Sequence, residues 1–194
     1  MPTRQLFPTH FYEVRLDQPA LLDELADSCR TLAAEDVAGR RWSKAHDYRG
    51  YTSYASLNDL PQRDPAFADL KRLLDRHVAT FAAEAGFDLG GRKLKLDSLW
   101  VNVMKPGGTH SGHLHPHSAV SGTFYVAVPP GSGALKLEDP RLPMLMAAPP
   151  RDGTFVYAEP APGTLFLWES WLRHEVMPST AKEERVSVSF NYRW

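Results

Sequence analysis

Short strand-like runs, separated by proline and glycine, occupy the chain from residue 92 onward and limit the folds open to it. Each run alternates apolar and polar residues or is largely apolar, and it stops at turn residues such as Pro106-Gly107-Gly108 or Pro129-Pro130-Gly131. Many short strands at close spacing are typical of a barrel or a jelly roll. We therefore predict strands at 93–104, 121–128, 134–138, 154–158, 163–168, 174–177 and 185–192.

The first half of the chain shows helical periodicity instead. After a predicted strand at 7–16, an apolar stripe favours a helix that begins near Pro19 with Asp17 as its cap. A second stripe predicts a longer helix that is capped by Asp64 and ends at Gly86. We expect these helices to pack along the outside of one sheet of a mostly β fold.

Four of the chain's eight histidines fall within eight residues, at 110, 113, 115 and 117. His113 and His115 are two residues apart, so on an extended strand both imidazoles leave the same face. Two converging imidazoles supply half of a transition-metal site. The other half should come from a distant strand, and His174 is the best candidate. His117 could compete with His115, although the intervening Pro116 disfavours a regular strand there.

Composition narrows the class of protein. The length of 194 residues suits one domain, 1–194, with an N-terminal helical and loop elaboration at 1–91 and a β core carrying the metal site at 92–194. The formal net charge is −1, and no basic run interleaves with aromatic residues, so neither nucleic acid nor a membrane surface is expected as a partner. The single cysteine, Cys29, excludes an internal disulfide. No signal peptide or membrane span is apparent, and a cytoplasmic protein is expected.

Four short motifs occur in a fixed order in the second half: His113-Leu114-His115-Pro116, then residues 121–126 (SGTFYV), Asp139-Pro140-Arg141 and Ser189-Phe190-Asn191. In this order they resemble a bacterial and phage group of 2-oxoglutarate- and iron(II)-dependent oxygenases that is similar to prolyl hydroxylases. The resemblance implies a double-stranded β-helix, which is a cupin-like jelly roll. It also implies Fe(II) as cofactor, 2-oxoglutarate as cosubstrate, and hydroxylation of a substrate with release of succinate and carbon dioxide.

The resemblance assigns roles to individual residues. Iron would be bound by His113, His115 and His174. Arg185 would hold the distal carboxylate of 2-oxoglutarate through paired charge-assisted hydrogen bonds, with the hydroxyl of Ser187 as a neighbouring contact. Tyr125 could donate a further hydrogen bond to the cosubstrate or could simply pack inside the barrel. The alternative role for Arg185 is a surface ion pair with an adjacent glutamate.

One departure from the wider superfamily leaves alternatives open. The second ligand position is His115, where most relatives carry Asp or Glu, and Asp139 is the nearest candidate if a carboxylate binds instead. Three neutral imidazoles also occur in cupin dioxygenases that need no 2-oxoglutarate. A third possibility is a non-enzymatic jelly-roll binding protein with a closed zinc site. Formation of succinate separates the first function from the other two.

The substrate is not identified by the sequence, and a small molecule or a peptide is expected. Two segments are expected to shape its pocket: a long aromatic-rich loop, Gly39–Pro61, and a proline- and methionine-rich connection, Leu142–Pro150. Trp168 and Trp171 flank the approach to His174 and could also wall the pocket, although core packing is the expected role of Trp168. Exposed sheet edges could pair two copies of the chain into a homodimer.

Overall fold

The computed structural model describes residues 3–141, 147, 149 and 153–194. Apart from Ala147 and Pro149, the predicted connection Leu142–Pro150 lies outside the described residues. The strands are β1 (Phe11–Arg15), β2 (Gly50–Thr52), β3 (Lys95–Met104), β4 (His110–His113), β5 (Val120–Ala127), β6 (Leu135–Glu138), β7 (Phe155–Ala158), β8 (Thr164–Glu169), β9 (His174–Val176) and β10 (Arg185–Arg193). The helices are α1 (Pro19–Glu35), α2 (Val37–Ala45), α3 (Leu60–Arg63) and α4 (Pro65–Glu84).

The strands form two antiparallel sheets. The major sheet has the order β1-β8-β5-β10-β3-β2, and the minor sheet has the order β4-β9-β6-β7. Strands distant in sequence pair with one another, as in a jelly roll rather than a simple meander. The fold is therefore the predicted one, a mostly β double-stranded β-helix with N-terminal helices.

Helices cover one face of the major sheet, as the sequence predicts. α1 contacts β3 and β5, and α4 contacts β3. The resulting core buries residues of both helices against the outward-facing residues of β3 and β10, among them Leu25, Phe67, Leu70, Leu74, Leu99, Val101, Val188 and Phe190. The opposite face of the major sheet meets the minor sheet, with a second cluster that includes Phe166, Trp168, Leu135 and Leu137. The polar cavity described below lies beside this second cluster.

The N-terminal part of the chain also completes the major sheet. β1 pairs with β8 at one end of that sheet, and β2 pairs with β3 at the other. Both sheet edges are thus formed by strands that precede residue 92. Within the described residues, no helix is both long and apolar enough to cross a membrane.

Helix α4 follows its sequence signals closely. The Asp64 side chain accepts a hydrogen bond from the Ala66 amide at 2.8 Å, which satisfies one of the unpaired donors of the first turn. Gly86, with φ of 74°, follows the helix in the left-handed region that favours glycine. Asp64 has a second role, because it also accepts a hydrogen bond from the Ser28 hydroxyl of α1 at 2.6 Å. One carboxylate therefore caps α4 and joins it to α1.

We expect Asp64→Ala to lower the free energy of unfolding by about 1–2 kcal/mol, because both the cap and the hydrogen bond between the helices are lost. Chemical denaturation measures the change. The matched control is Ser28→Ala, which removes only the hydrogen bond between the helices and should cost about half as much. Equal losses in the two variants would show that the cap contributes nothing.

Two local predictions are wrong. The segment Gly39–Pro61 is not a long loop, because it contains most of α2, the strand β2 and the start of α3. Asp17 does not cap α1: the N-cap position is Gln18, directly before Pro19, and no side chain makes a capping hydrogen bond there. Asp17 lies one residue before the N-cap, so its carboxylate is not in the position from which a capping side chain accepts from the first-turn amides.

Candidate active site

Three histidines converge from two strands and a loop of the minor-sheet side. His113 ends β4 and lies directly opposite His174, the first residue of β9. His115 follows the end of β4, and its backbone amide donates to the carbonyl of Ser170 at 3.0 Å. The potential ligand atoms of the three side chains all lie within 4.8 Å of one another. His113 and His115 therefore converge as predicted, although His115 is not on the strand.

Backbone carbonyls orient two of the three rings. The Nδ1 atoms of His113 and His174 lie 2.7 Å from the carbonyl of Ser111 and 2.9 Å from that of Leu172, respectively. A carbonyl oxygen can only accept, so in both rings the proton sits on Nδ1. This tautomer leaves the Nε2 lone pair free to bind a metal.

Burial keeps these imidazoles uncharged. Desolvation, aided by the neighbouring histidines, lowers the pKa of His174 to about 3 and the pKa of His115 to about 4. Desolvation also lowers the pKa of His113. Neutral imidazole is the form that binds a metal ion, so no proton competes for these sites near pH 7.

The other candidate metal ligands, Asp139 and His117, do not belong to the histidine cluster. Within the described parts of the chain, the only cluster of three or more potential metal ligands consists of His113, His115 and His174. Asp139 instead forms a two-pronged ion pair with Arg141, whose Nε and Nη2 lie 2.8 and 2.6 Å from its two carboxylate oxygens. His117 is exposed, and its φ of 70° turns the chain away from a strand. His110 stays close, because its ring centre is 4.4 Å from that of His113.

Strand β10 places the Arg185 guanidinium in the same cavity as the three histidines. Val186, Val188 and Phe190 face the helical core, so the alternate residues Arg185, Ser187 and Ser189 face the cavity between the sheets. Arg185 is only 4% exposed, which excludes the alternative of a surface ion pair.

The Arg185 guanidinium has spare hydrogen-bonding capacity. Nη1 donates to the carbonyl of Gly133 at 3.1 Å, and Nη2 lies 3.6 Å from the sulfur of Met104. Among the described residues, no acceptor reaches the buried Nε. A buried cation with an unsatisfied donor is costly unless an anion completes it. The arrangement therefore fits the distal carboxylate of a dicarboxylate such as 2-oxoglutarate.

The histidine cluster and the Arg185 guanidinium line one and the same cavity. The predicted cosubstrate residues Arg185, Ser187 and Tyr125 line it, together with the three clustered histidines. Tyr125 is almost fully buried and lies below the guanidinium, with the Arg185 Cζ atom 5.7 Å from its ring centre. Its position fits both of the roles considered for it, since it packs in the interior and also faces the cavity.

Some cavity residues were not predicted from the sequence. Tyr48 donates a hydrogen bond to the side-chain oxygen of Asn102 at 3.3 Å, and burial raises the pKa of its hydroxyl to about 12. Trp100 and Met104, on the same face of β3 as Asn102, also line the cavity. The aromatic content of residues 39–61 was the signal for Tyr48, but nothing in the sequence distinguished it from the neighbouring tyrosines.

The two tryptophans near His174 in sequence, Trp168 and Trp171, differ in burial and in whether they line the cavity. Trp168 is buried, lines the cavity, and has its ring centre 4.6 Å from that of His174. Trp171 is 46% exposed, donates a hydrogen bond to Glu169, and lines neither cavity at the site. The expectation that Trp171 walls the pocket is therefore wrong.

The fold and the site together define a jelly-roll protein with a three-histidine cluster and a buried arginine in one cavity. Residues 98–191 match a family model described as "Putative 2OG-Fe(II) oxygenase". This match confirms the predicted resemblance to 2-oxoglutarate- and iron(II)-dependent oxygenases, which use Fe(II) as cofactor and 2-oxoglutarate as cosubstrate, and the three-histidine cluster is consistent with an iron site of that kind. A search of curated protein sequences finds no significant match.

Several solved structures share this fold. A prolyl-4-hydroxylase from Pseudomonas putida is similar, with a TM-score of 0.66, 22% identity, and coverage of 96% of this chain and 94% of that one. A Trichoplax adhaerens prolyl hydroxylase, solved with a peptide of hypoxia inducible factor, has a TM-score of 0.64, 16% identity, and coverage of 94% and 83%. HygX from Streptomyces hygroscopicus, solved with nickel and 2-oxoglutarate, has a TM-score of 0.64, 14% identity, and coverage of 95% and 82%. The cupin-dioxygenase and binding-protein alternatives are not favoured.

Proposed function

We propose that His113, His115 and His174 bind Fe(II), that Arg185 and Ser187 bind the distal carboxylate of 2-oxoglutarate, and that Tyr125 faces the bound cosubstrate. The enzyme then hydroxylates a C–H bond of its substrate. The observation that carries this proposal is that the histidine cluster and the buried Arg185, with its unsatisfied Nε, face one cavity. Three protein ligands leave coordination positions open for a chelating cosubstrate and dioxygen.

When bound by these residues, Fe(II) and 2-oxoglutarate would supply the activation of dioxygen: 2-oxoglutarate would lose carbon dioxide and take up one oxygen atom to give succinate, and the other oxygen atom would enter the hydroxylated product. The chain's own residues have simpler tasks. The carbonyls of Ser111 and Leu172 hold two imidazoles with Nε2 directed at the metal. Arg185 neutralises the distal carboxylate, and its planar fork fixes the direction of the cosubstrate. The buried Phe166 and Trp168 keep bulk water out of the interior beside the site.

The experiment that tests this function is anaerobic loading of the protein with Fe(II) and 2-oxoglutarate, followed by exposure to air. Even without substrate, slow conversion of 2-oxoglutarate to succinate is expected, and it can be followed by proton NMR. Omission of iron is the control. Tight iron binding with no succinate and no affinity for 2-oxoglutarate would contradict the proposal and favour the cupin-dioxygenase alternative.

The third iron ligand can be tested separately. We expect His115→Ala to weaken Fe(II) binding at least tenfold, because loss of an ordered ligand costs no less than loss of the groups that orient it. Asp139→Ala and His117→Ala should bind iron within about twofold of the parent protein, since neither side chain belongs to the cluster. Anaerobic titration measures all three. Normal binding in His115→Ala together with loss in Asp139→Ala would reverse the assignment.

We also propose a single domain, 1–194, because strands on both sides of residue 92 share the major sheet. A small-molecule or peptide substrate, without nucleic acid or a membrane as partner, agrees with the near-zero net charge.

A cytoplasmic location agrees with the single, buried cysteine, which needs no oxidising compartment. Pairing of exposed strand edges into a homodimer stays a proposal, and β7 is an edge strand of the minor sheet.

A further inference from the structure

A second, larger cavity opens from the first. It has a volume of about 630 Å³, and we call it the outer cavity, as opposed to the inner cavity that contains Arg185. The two share a wall formed by six residues: Tyr48, Trp100, Asn102, His110, His113 and His115. Two of the three proposed iron ligands thus face both cavities. A substrate that occupies the outer cavity lies next to the proposed iron site.

The register of β3 against β10 shows that the inner and outer cavities lie toward opposite ends of this strand pair. Met104 pairs with Arg185 at the inner end, and Ser98 pairs with Asn191 at the outer end. These pairs are six residues apart, which is about 20 Å at the rise of an antiparallel strand. The substrate end of the site is therefore opposite the end that anchors the cosubstrate.

Aromatic rings form a continuous wall in the outer cavity. The ring centre of Tyr54 lies 6.1 Å from that of Trp42 and 5.3 Å from that of Trp100. The ring centre of Trp100 is in turn 6.0 Å from that of His115. Trp100 is 7% exposed and Tyr54 is 57% exposed, so the wall runs from the buried metal side to the open surface.

Among the lysine, arginine and carboxylate side chains that the structure describes, the outer cavity is lined only by a negatively charged one. Within the described parts of the chain, its lining contains no lysine or arginine, and its only carboxylate is Asp97. The Arg193 Nε lies 3.2 Å from a carboxylate oxygen of Asp97, but both side chains are substantially exposed. Such surface ion pairs contribute little, so a bound cation can take the place of Arg193. An anionic substrate, by contrast, would meet no cationic side chain in this described lining, and the neighbouring Arg193 guanidinium is already paired with Asp97.

We propose that the substrate carries a cationic, amine-type group that binds in the outer cavity against Trp42, Tyr54 and Asp97. Aromatic faces attract cations, and a single carboxylate adds to that attraction. The positive charge of the iron repels a second cation, which directs the amine-type group to the outer end and leaves an uncharged carbon of the substrate near His115. This last step rests on the proposed function, whereas binding of the cation does not.

Three probes of nearly equal shape test the proposal on the full-length chain: choline, 3,3-dimethylbutan-1-ol and 3,3-dimethylbutanoate, which are cationic, neutral and anionic. We expect calorimetry to give choline an affinity about 3–30-fold higher than that of the alcohol, with no detectable binding of the anion. Tyr54→Ala and Trp42→Ala should weaken choline binding several-fold. Asp97→Asn should weaken choline binding and leave that of the alcohol unchanged.

The matched control is Trp171→Ala, which removes an exposed tryptophan outside both cavities and should not change choline binding. Circular dichroism checks the fold of each variant, and if Trp42→Ala does not fold, the half-exposed Tyr54 alone decides the outcome. Binding of the anion as tight as that of choline, or equal affinities in Tyr54→Ala and Trp171→Ala, would overturn the proposal. Because binding is measured without turnover, it can fail while succinate formation succeeds, or the reverse.

Discussion

Replacement of His174 by alanine is expected to abolish iron binding and to leave most of the fold in place. The imidazole of His174 is held by the carbonyl of Leu172, is kept neutral by burial, and lies opposite His113 at the join of two strands. Loss of an outer group that orients a ligand already lowers metal affinity by about 10–100-fold, so loss of the ligand itself should exceed about 100-fold. Anaerobic titration with Fe(II) measures the effect, and succinate formation should disappear with it.

Two further variants make this result interpretable. His113→Ala should give the same loss of iron binding, because it removes another member of the cluster. His117→Ala is the matched control: it removes an exposed imidazole four residues from His113 and should bind iron normally. Thermal denaturation checks the fold of all three. If His113→Ala and His174→Ala both bind iron as the parent protein does, the metal site lies elsewhere.

Replacement of Arg185 by alanine is expected to weaken 2-oxoglutarate binding by about tenfold to a few hundredfold while iron binding persists. One hydrogen bond to a charged group contributes roughly 1.5–3 kcal/mol, which is about 10–150-fold in affinity, and a second bond from the same planar fork raises the upper end of that range. Arg185→Lys keeps the charge but loses the fork, so its affinity should fall between those of the parent protein and Arg185→Ala. Calorimetry with 2-oxoglutarate on the iron-loaded protein, under argon, measures both variants.

Arg141→Ala provides the control for charge alone, because it removes an arginine whose side chain is exposed and paired with Asp139. Its affinity for 2-oxoglutarate should be unchanged. Arg185→Ala also deprives the Gly133 carbonyl of a donor, so a folding check by circular dichroism is needed. An unchanged affinity in a folded Arg185→Ala protein would remove Arg185 from the cosubstrate site.

The β part of the fold was predictable because its core residues alternate along each strand. Helix α2 was not, and the reason is physical: its buried residues are Gly39 and Ser43, so no apolar periodicity marks the face that packs. The strand β2 is only three residues long, too short for any alternation to be recognised. The predicted loop was therefore a segment whose order comes from tertiary contacts.

The candidate site was predictable in its residues but not in its geometry. The histidine spacing and the resemblance to a known family indicated His113, His115, His174 and Arg185. The sequence could not show that His115 leaves the strand, because its position depends on a hydrogen bond to the distant Ser170. Nor could it show that Met104 and Tyr48 share a cavity with Arg185, since that requires the register of β3 against β10 and of β2 against β3.

The position of β10 has a consequence for how the chain folds. It is the last strand along the chain, yet it lies in the middle of the major sheet, between β5 and β3. Until it is inserted, that sheet exists only as two separate halves, each with an unpaired inner edge that is open to aggregation. Its pairing with β3 joins residues about ninety positions apart, and such non-local contacts form slowly. We therefore expect slow refolding, and a chain truncated before Arg185 should aggregate rather than form a partial barrel.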